Sequence, residues 1–141
     1  MKDLKVRDVM TANPVLIEPA ATLQQAAELM KFIDCGLLPV GTKNDLEGVI
    51  TDRDIVIRAI AKGENPAEAL VSDYMTSRVC ACNEDDFLED ALAKLHKFKV
   101  SRLLVKNHGG KVTGILSIGL ILRREADPAE IAGVVKHATG I

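Results

Sequence analysis

The same segment occurs twice in this chain, about 65 residues apart. Val6-Arg7-Asp8-Val9-Met10-Thr11 recurs as Val71-Ser72-Asp73-Tyr74-Met75-Thr76. Further along, and after a shift of one residue in a turn, Gly48-Val49-Ile50-Thr51 recurs as Gly114-Ile115-Leu116-Ser117. A long period that is present only twice indicates two copies of one small unit packed on each other, and not an extended solenoid. One copy is marginal for a core of its own, which also favours a single paired module.

Composition restricts the possible partners of the 141-residue chain. The core must be aliphatic, because 48% of the residues are hydrophobic but there is no Trp, one Tyr and three Phe. A net charge of −2 offers no basic field for a nucleic acid. No apolar run approaches the roughly 20 residues that would span a bilayer. We expect no signal peptide, because Met1-Lys2-Asp3-Leu4 leads straight into the first copy. Three cysteines without a recognisable spacing favour a reducing cytoplasm.

Each copy has the pattern strand, helix, strand, strand, helix, which predicts an α/β (α+β) fold. In the first copy the predicted elements are a strand at residues 14–17, a helix from a Thr22–Gln25 capping box to Gly36, strands at 37–40 and 46–50, and a helix from Thr51 to Gly63. Leu23, Ala26, Ala27 and Met30 form the apolar face of the first helix, and Ile55, Ile57, Ala59 and Ile60 that of the second.

In the second copy the predicted elements are a strand at residues 79–82, a helix capped by Asp86, strands at 102–105 and 111–116, and a helix from Ser117. We therefore assign residues 1–62 to the first copy, 63–70 to a linker and 71–126 to the second copy. Residues 127–141 form a tail, with a predicted helix from Asp127 to about Ala138 that has Pro128 at its first position.

The clearest candidate site is Thr51-Asp52-Arg53-Asp54, where a strand runs directly into a helix. Exposed N–H groups and the positive end of the helix dipole suit a phosphate, and the Thr51 hydroxyl adds a donor. The Asp54 carboxylate, one turn further on, could accept both vicinal hydroxyls of a ribose. An alternative interpretation needs no ligand, because Thr-x-x-Asp is also a capping box that stabilises a helix by about 1 kcal/mol.

The repeated motifs Asp-x-Met-Thr, Gly-Leu-Leu-Pro-Val and Gly-Val-Ile-Thr-Asp-Arg-Asp together resemble a tandem pair of CBS domains (cystathionine-beta-synthase-type repeats) over residues 3–125. The resemblance implies two β-α-β-β-α repeats packed with pseudo-two-fold symmetry. It also implies a homodimer formed through helices, and a regulatory or sensory role without catalysis.

The family binds adenosine compounds in clefts assembled from both repeats, commonly AMP, ADP, ATP or S-adenosylmethionine. The resemblance implies that such a nucleotide is a regulatory ligand here and that no cofactor is required. Carried over to this sequence, Thr51 and Asp54 match the phosphate and ribose positions, with Arg53 beside them. The opposite wall of the same cleft would be formed by Val79, Cys80, Val100, Ser101 and Arg102. Among these, Val79 and Cys80 match positions whose backbone contacts adenine, and Arg102 is placed to bind phosphate.

The second cleft departs from the family pattern. Ser117 keeps the hydroxyl, but Leu120 stands where the ribose carboxylate belongs. A leucine cannot accept the ribose hydroxyls, and buried unpaired hydroxyls cost about 1–3 kcal/mol. The remaining lining residues, Pro14, Val15, Gly36 and Leu37, add no cation. We therefore predict one competent cleft and one degenerate or empty cleft.

Other hypotheses remain open. The protein could be a ligand-free dimeric scaffold that keeps Thr51 and Asp54 only as a helix cap. Cys35, or Cys80 and Cys82 with His96, could respond to redox changes or bind a metal, although the spacing of a structural zinc site is missing. No nucleophile elbow, Gly-rich phosphate loop or His-x-x-x-His pair indicates an enzyme. We expect a cytoplasmic module that signals to an unidentified protein, without a nucleic-acid or membrane partner.

Overall fold

A computed structural model describes residues 3–123 of the chain. These residues form two compact units, which are described separately. The first unit comprises residues 15–79, and the second unit comprises residues 3–14 together with residues 80–123. The predicted tail helix at 127–138 lies outside the described residues.

The first unit is built around helix α2, Leu23–Ile33. The predicted capping box is confirmed: the Thr22 hydroxyl accepts a hydrogen bond from the Gln25 N–H at 3.1 Å, and the Gln25 side chain accepts one from the Thr22 N–H at 2.9 Å. The helix ends at Asp34, which has a φ of 54°. Leu23, Ala26 and Met30 face the core, as their spacing predicts, whereas Ala27, predicted on the same face, is exposed.

Strands β2 (Leu37–Gly41) and β3 (Leu46–Thr51) form an antiparallel hairpin under this helix. The strand predicted at residues 14–17 is wrong, because this segment makes only an isolated parallel bridge between Ile17 and Val40. Pro14 has no N–H and cannot contribute a donor to a ladder.

The helix predicted from Thr51 exists but is not a regular α-helix. A π-helix covers Asp54–Ala59, a 3₁₀ helix covers Ile60–Lys62, and Gly63 ends the segment with a φ of 86°. Its apolar face was predicted only in part. Ile55 and Ala59 are buried, whereas Ile57 and Ile60 are 54% and 46% exposed.

The second unit contains, in chain order, α1 (Val6–Val9), β1 (Thr11–Ala12), β4 (Ala81–Asn83), α4 (Leu88–Phe98), β5 (Arg102–Lys106), β6 (Val112–Ser117) and α5 (Ile118–Arg123). Its strands form a four-stranded sheet in the order β1-β6-β5-β4. Strand β4 pairs with β5 in parallel, and β5 pairs with β6 in an antiparallel hairpin.

Two sequence-based details of the second unit need correction. The first strand is shifted from the predicted residues 79–82 to Ala81–Asn83. Asp86 does not cap α4, whose N-cap is Phe87 without a side-chain hydrogen bond. The Asp86 carboxylate instead accepts a hydrogen bond from the Asn83 N–H at 2.9 Å, and this bond closes the turn before the helix.

The segments at the starts of the two copies, residues 4–6 and 69–71 (the lead segments), have changed places. In the second unit, the Val6 N–H donates to the Asp86 carbonyl and the Leu88 N–H donates to the Leu4 carbonyl, at 2.9 and 2.8 Å. Residues 69–71 make the corresponding bonds in the first unit, where the Val71 N–H donates to the Ala21 carbonyl at 2.8 Å. Residues 4–6 thus complete the unit that holds the second copy's sheet, and residues 69–71 complete the unit that holds the first copy's hairpin.

Close approach of the residues that follow the lead segments requires a glycine in each unit. A Cβ on Gly48 would lie 2.6 Å from the Thr76 carbonyl oxygen, and one on Gly114 would lie 2.9 Å from the Thr11 carbonyl oxygen. The repeated glycine therefore marks where the repeated Met-Thr segment crosses a strand. Among the described helices, none is long and apolar enough to span a bilayer.

Candidate functional site at the Thr51–Asp54 junction

The junction between β3 and the π-helix is closed by two reciprocal hydrogen bonds. The Asp54 N–H donates to the Thr51 hydroxyl, and the Thr51 N–H donates to Asp54 Oδ2, both at 3.1 Å. This is the geometry of a capping box. Because Oδ2 is engaged, Oδ1 is the oxygen of this carboxylate that is available to a ligand. The Asp54 side chain is 13% exposed.

Two residues that the sequence analysis did not single out surround Asp54 Oδ1. The Thr76 hydroxyl lies 3.5 Å away, and Arg58 Nη1 lies 3.8 Å away. Both contacts fall within the first unit. Thr76 belongs to the repeated Asp-x-Met-Thr motif, and Arg58 follows Asp54 by four residues on the same helical face. These two sequence features could have indicated their place in the site.

Arg58 makes its shorter contacts with the main chain. Its Nη1 donates to the Tyr74 carbonyl at 2.6 Å and to the Met75 carbonyl at 3.3 Å. Desolvation raises the pKa of the neighbouring Tyr74 hydroxyl, and the charge and hydrogen bond of Glu64 raise it further. Tyr74 is therefore a neutral donor at physiological pH.

The backbone donors at this helix start already have acceptors in the chain. The Asp52 N–H donates to the Gly36 carbonyl at 2.9 Å, and the Arg53 N–H donates to the Asp52 carboxylate at 2.8 Å. The N–H groups that were expected to be exposed to a phosphate therefore already have acceptors. An anion at the Arg53 N–H would have to displace the exposed Asp52 carboxylate.

Several other predicted site residues lie in one or the other of the two units. In the first unit, Leu37 pairs with Thr51 across the hairpin, and Val79 is the last residue of the unit. In the second unit, Arg102 pairs with Ser117, and the Ser101 carbonyl accepts from the Ile118 N–H at 3.0 Å.

Two more of the residues predicted to line the cleft, Cys80 and Val100, lie in the second unit. The Cys80 carbonyl accepts from the Leu104 N–H at 3.1 Å, and Val100 packs against the core of the second unit. Their combination with Thr51 and Asp54 in one cleft stays a prediction.

The second junction, at Ser117, lacks half of the arrangement. The Leu120 N–H donates to the Ser117 hydroxyl at 3.1 Å, as at Thr51, but Leu120 has no carboxylate to return the bond. Leu120 packs against the hydrophobic core instead. Of its predicted lining residues, Pro14 is buried and Val15 is 41% exposed.

The cysteines differ strongly in environment. Cys82 is 4% exposed, and burial raises the pKa of its thiol to about 11, with a further contribution from Asp86. Cys35 and Cys80 are partly exposed, and the Cys35 thiol donates to the Leu37 carbonyl at 3.3 Å. Within residues 3–123, no group of three or more His, Cys, Asp or Glu residues is arranged to hold a metal ion.

Fold and motif together define two repeated α/β units. The family model of the CBS domain matches the chain twice, at residues 6–60 and 71–127. The chain therefore belongs to the CBS-domain family and is a tandem CBS pair.

Relatives of similar length support this assignment. A CBS domain-containing protein, YhcV, from Bacillus subtilis is 34% identical over 114 residues, which cover 81% of this chain and 80% of the relative. A solved structure of CBSX2 in complex with AMP is 31% identical, has a TM-score of 0.70, and covers 84% of this chain and 93% of its own. A structure of Hypoxic Response Protein I with two coordinated zinc ions is 28% identical, with a TM-score of 0.75 and coverage of 87% and 100%.

Proposed function

We propose that this CBS pair is a sensor that binds an adenine nucleotide at the Thr51–Asp54 junction and signals to a protein partner. The observation that carries the proposal is the state of the Asp54 carboxylate. It is largely buried, its Oδ2 is fixed by the cap, and within residues 3–123 the nearest donor to its Oδ1 is the Thr76 hydroxyl at 3.5 Å. A ribose hydroxyl is a suitable donor for such an oxygen.

The AMP complex of CBSX2, a relative of 31% identity, supports the choice of an adenosine compound. In this proposal the Thr51 hydroxyl, Arg53 and Arg102 contact the phosphate, and the backbone of Val79 and Cys80 contacts adenine. Val100 and Ser101 would line the same cleft. We further propose a homodimer, which is supported by apolar side chains exposed on helices, such as Phe32 at 88% and Val56 at 54%.

Thermal unfolding with AMP, ADP, ATP, NADH and S-adenosylmethionine tests the proposal. A compound at about 100 times its Kd should stabilise the fold by roughly 2.7 kcal/mol, which is a shift of several degrees in Tm. In Asp54→Asn the cap keeps an acceptor but the charge is lost. We expect affinity to fall about tenfold or more, while the ligand-free Tm changes by less than a degree or two.

The competing function is a ligand-free scaffold, and one observation favours it. Both hydrogen bonds of the Thr51–Asp54 cap are formed within the chain, and the Ser117 junction has kept its hydroxyl without the carboxylate. A scaffold would show no Tm shift with any of the five compounds at millimolar concentration. Its Asp54→Asn variant would then have no affinity to lose.

A further inference from the structure

The Arg58 side chain connects the candidate site to the segment that follows the first copy. Arg58 lies on the π-helix four residues after Asp54, so both side chains project from one face. Its side chain is 46% exposed, yet Nη1 reaches the carbonyls of Tyr74 and Met75 at 2.6 and 3.3 Å. These carbonyls end the short helix α3, Val71–Tyr74, where a cation is a favourable partner.

The same contacts determine where the Thr76 hydroxyl lies. On one side, the Thr76 backbone is fixed to β3, because its N–H donates to the Val49 carbonyl at 2.8 Å and its carbonyl accepts from the Val49 N–H at 2.9 Å. On the other side, the two preceding carbonyls are held by Arg58. The Thr76 hydroxyl is thereby kept 3.5 Å from Asp54 Oδ1.

Arg58 does not neutralise Asp54 through a short ion pair. Its Nη1 is 3.8 Å from Oδ1, beyond a good hydrogen bond, and its closest acceptor is the Tyr74 carbonyl. The hydrogen bond that Oδ1 accepts within residues 3–123 is a long one, from the Thr76 hydroxyl at 3.5 Å. A carboxylate oxygen can accept more than one hydrogen bond, so Oδ1 retains acceptor capacity for a ligand.

We propose that Arg58 is a positioning residue for ribose recognition. It fixes the Tyr74–Thr76 backbone beside Asp54 and so presents Oδ1 and the Thr76 hydroxyl together to the vicinal hydroxyls of the sugar. The inference rests on the proposed function, since it names how the same site would select a ribonucleotide. A ribose hydroxyl donates to Oδ1, and the Thr76 hydroxyl can turn to donate to, or accept from, the neighbouring sugar hydroxyl.

The test compares AMP with 2′-deoxy-AMP by calorimetry on four proteins: the wild type, Arg58→Gln, Asp54→Asn and the double variant. We expect Arg58→Gln to weaken AMP binding roughly tenfold and 2′-deoxy-AMP binding by no more than about twofold, because one charge-assisted contact is lost only with the ribonucleotide. In the Asp54→Asn background, Arg58→Gln should have almost no further effect.

Two controls separate positioning from charge or folding. Lys62→Gln removes an exposed positive charge from the same helical segment and should leave both affinities unchanged. Arg58→Lys keeps the charge but not the planar fork, so it should recover less than half of the lost discrimination. It also serves if Arg58→Gln fails to fold.

Equal losses for AMP and 2′-deoxy-AMP in Arg58→Gln, persisting without the Asp54 carboxylate, would overturn the assignment while the nucleotide-binding function stood. A wild type that binds none of the five compounds of the thermal screen would overturn the proposed function, and this inference with it.

Discussion

The two strand-to-helix junctions are a matched pair that differ at one side chain. At both, a hydroxyl at the end of the strand accepts the N–H three residues on, at 3.1 Å. Only the first junction returns the bond, from Asp54 Oδ2, whereas Leu120 at the second packs into the core. The hydroxyl is therefore part of how this unit folds, because a junction without a carboxylate still keeps it. The carboxylate is the feature that local folding does not require.

The lead segments of the two units can be compared in the same way. Substitutions of Val6 and Val71 should have the largest effect on stability. Both side chains are fully buried. Val6, from the first copy, lies in the core of the second unit, and Val71, from the second copy, lies in the core of the first unit. Val6→Ala and Val71→Ala should each cost about 2 kcal/mol of unfolding free energy through lost burial and a cavity.

Amide hydrogen exchange locates the damage. Val6→Ala should increase exchange in α4, Leu88–Phe98, and Val71→Ala should increase it in α2, Leu23–Ile33. Faster amide hydrogen exchange of α2 in Val6→Ala, with α4 unchanged, would contradict the placement of residues 4–6 in the second unit.

A smaller effect is expected at the two junction hydroxyls. Thr51→Val and Ser117→Ala each remove one cap acceptor and should each lower the unfolding free energy by about 1 kcal/mol in denaturant titrations. Their effects on ligand binding should differ, with only Thr51→Val weakening the nucleotide that binds in the thermal screen. Equal effects on affinity would mean that the junctions do not differ in function.

The smallest expected difference is in how stability depends on pH at two equivalent positions, Cys82 in β4 and Ile17 beside β2. Cys82 makes a parallel pairing with Val105, and Ile17 makes one with Val40. Only Cys82 titrates. Its pKa is raised from 9.0 to about 11 in the fold, so the folded state favours the neutral thiol. The stability from this thiol is fully present below pH 9 and is lost as the pH rises from 9 to 11.

Chemical unfolding at pH 8 and 9 measures this effect. The loss by pH 9 is well under 1 kcal/mol in the wild type and should be absent from the pH dependence of Cys82→Ala. Ile17→Val is the matched control, since it perturbs the equivalent position without changing any titrating group. An unchanged slope in Cys82→Ala would show that other groups govern this pH range.

The sequence predicted most of the elements, because the repeat, the capping box at Thr22 and the apolar spacing of α2 are local patterns that packing reinforces. It failed where a tertiary contact decided the outcome. The segment 14–17 is apolar enough for a strand but forms only one bridge, and Asp86 closes a turn although its position suits a cap.

The candidate site was predicted in the same uneven way. Thr51 and Asp54 were found because they are adjacent in a motif, and the structure brings them together. Arg58 and Thr76 were missed, since their approach to Asp54 depends on how residues 71–76 cross β3. The occupied N–H groups of Asp52 and Arg53 were also beyond the sequence pattern, which does not reveal which acceptor a free donor will meet.

The exchange of lead segments makes the two halves of the chain mutually dependent for completion. A cut at the exposed Gly63 would leave each fragment with part of both units: residues 15–62 would still need residues 69–71, and residues 80–123 would still need residues 4–6. The Leu23 N–H in one half and the Leu88 N–H in the other would lose their acceptors, so each fragment would need the other to complete these hydrogen bonds. The presence of both copies then matters more than the covalent link between them. A chain with a single copy would reach the same fold only by pairing with a second chain.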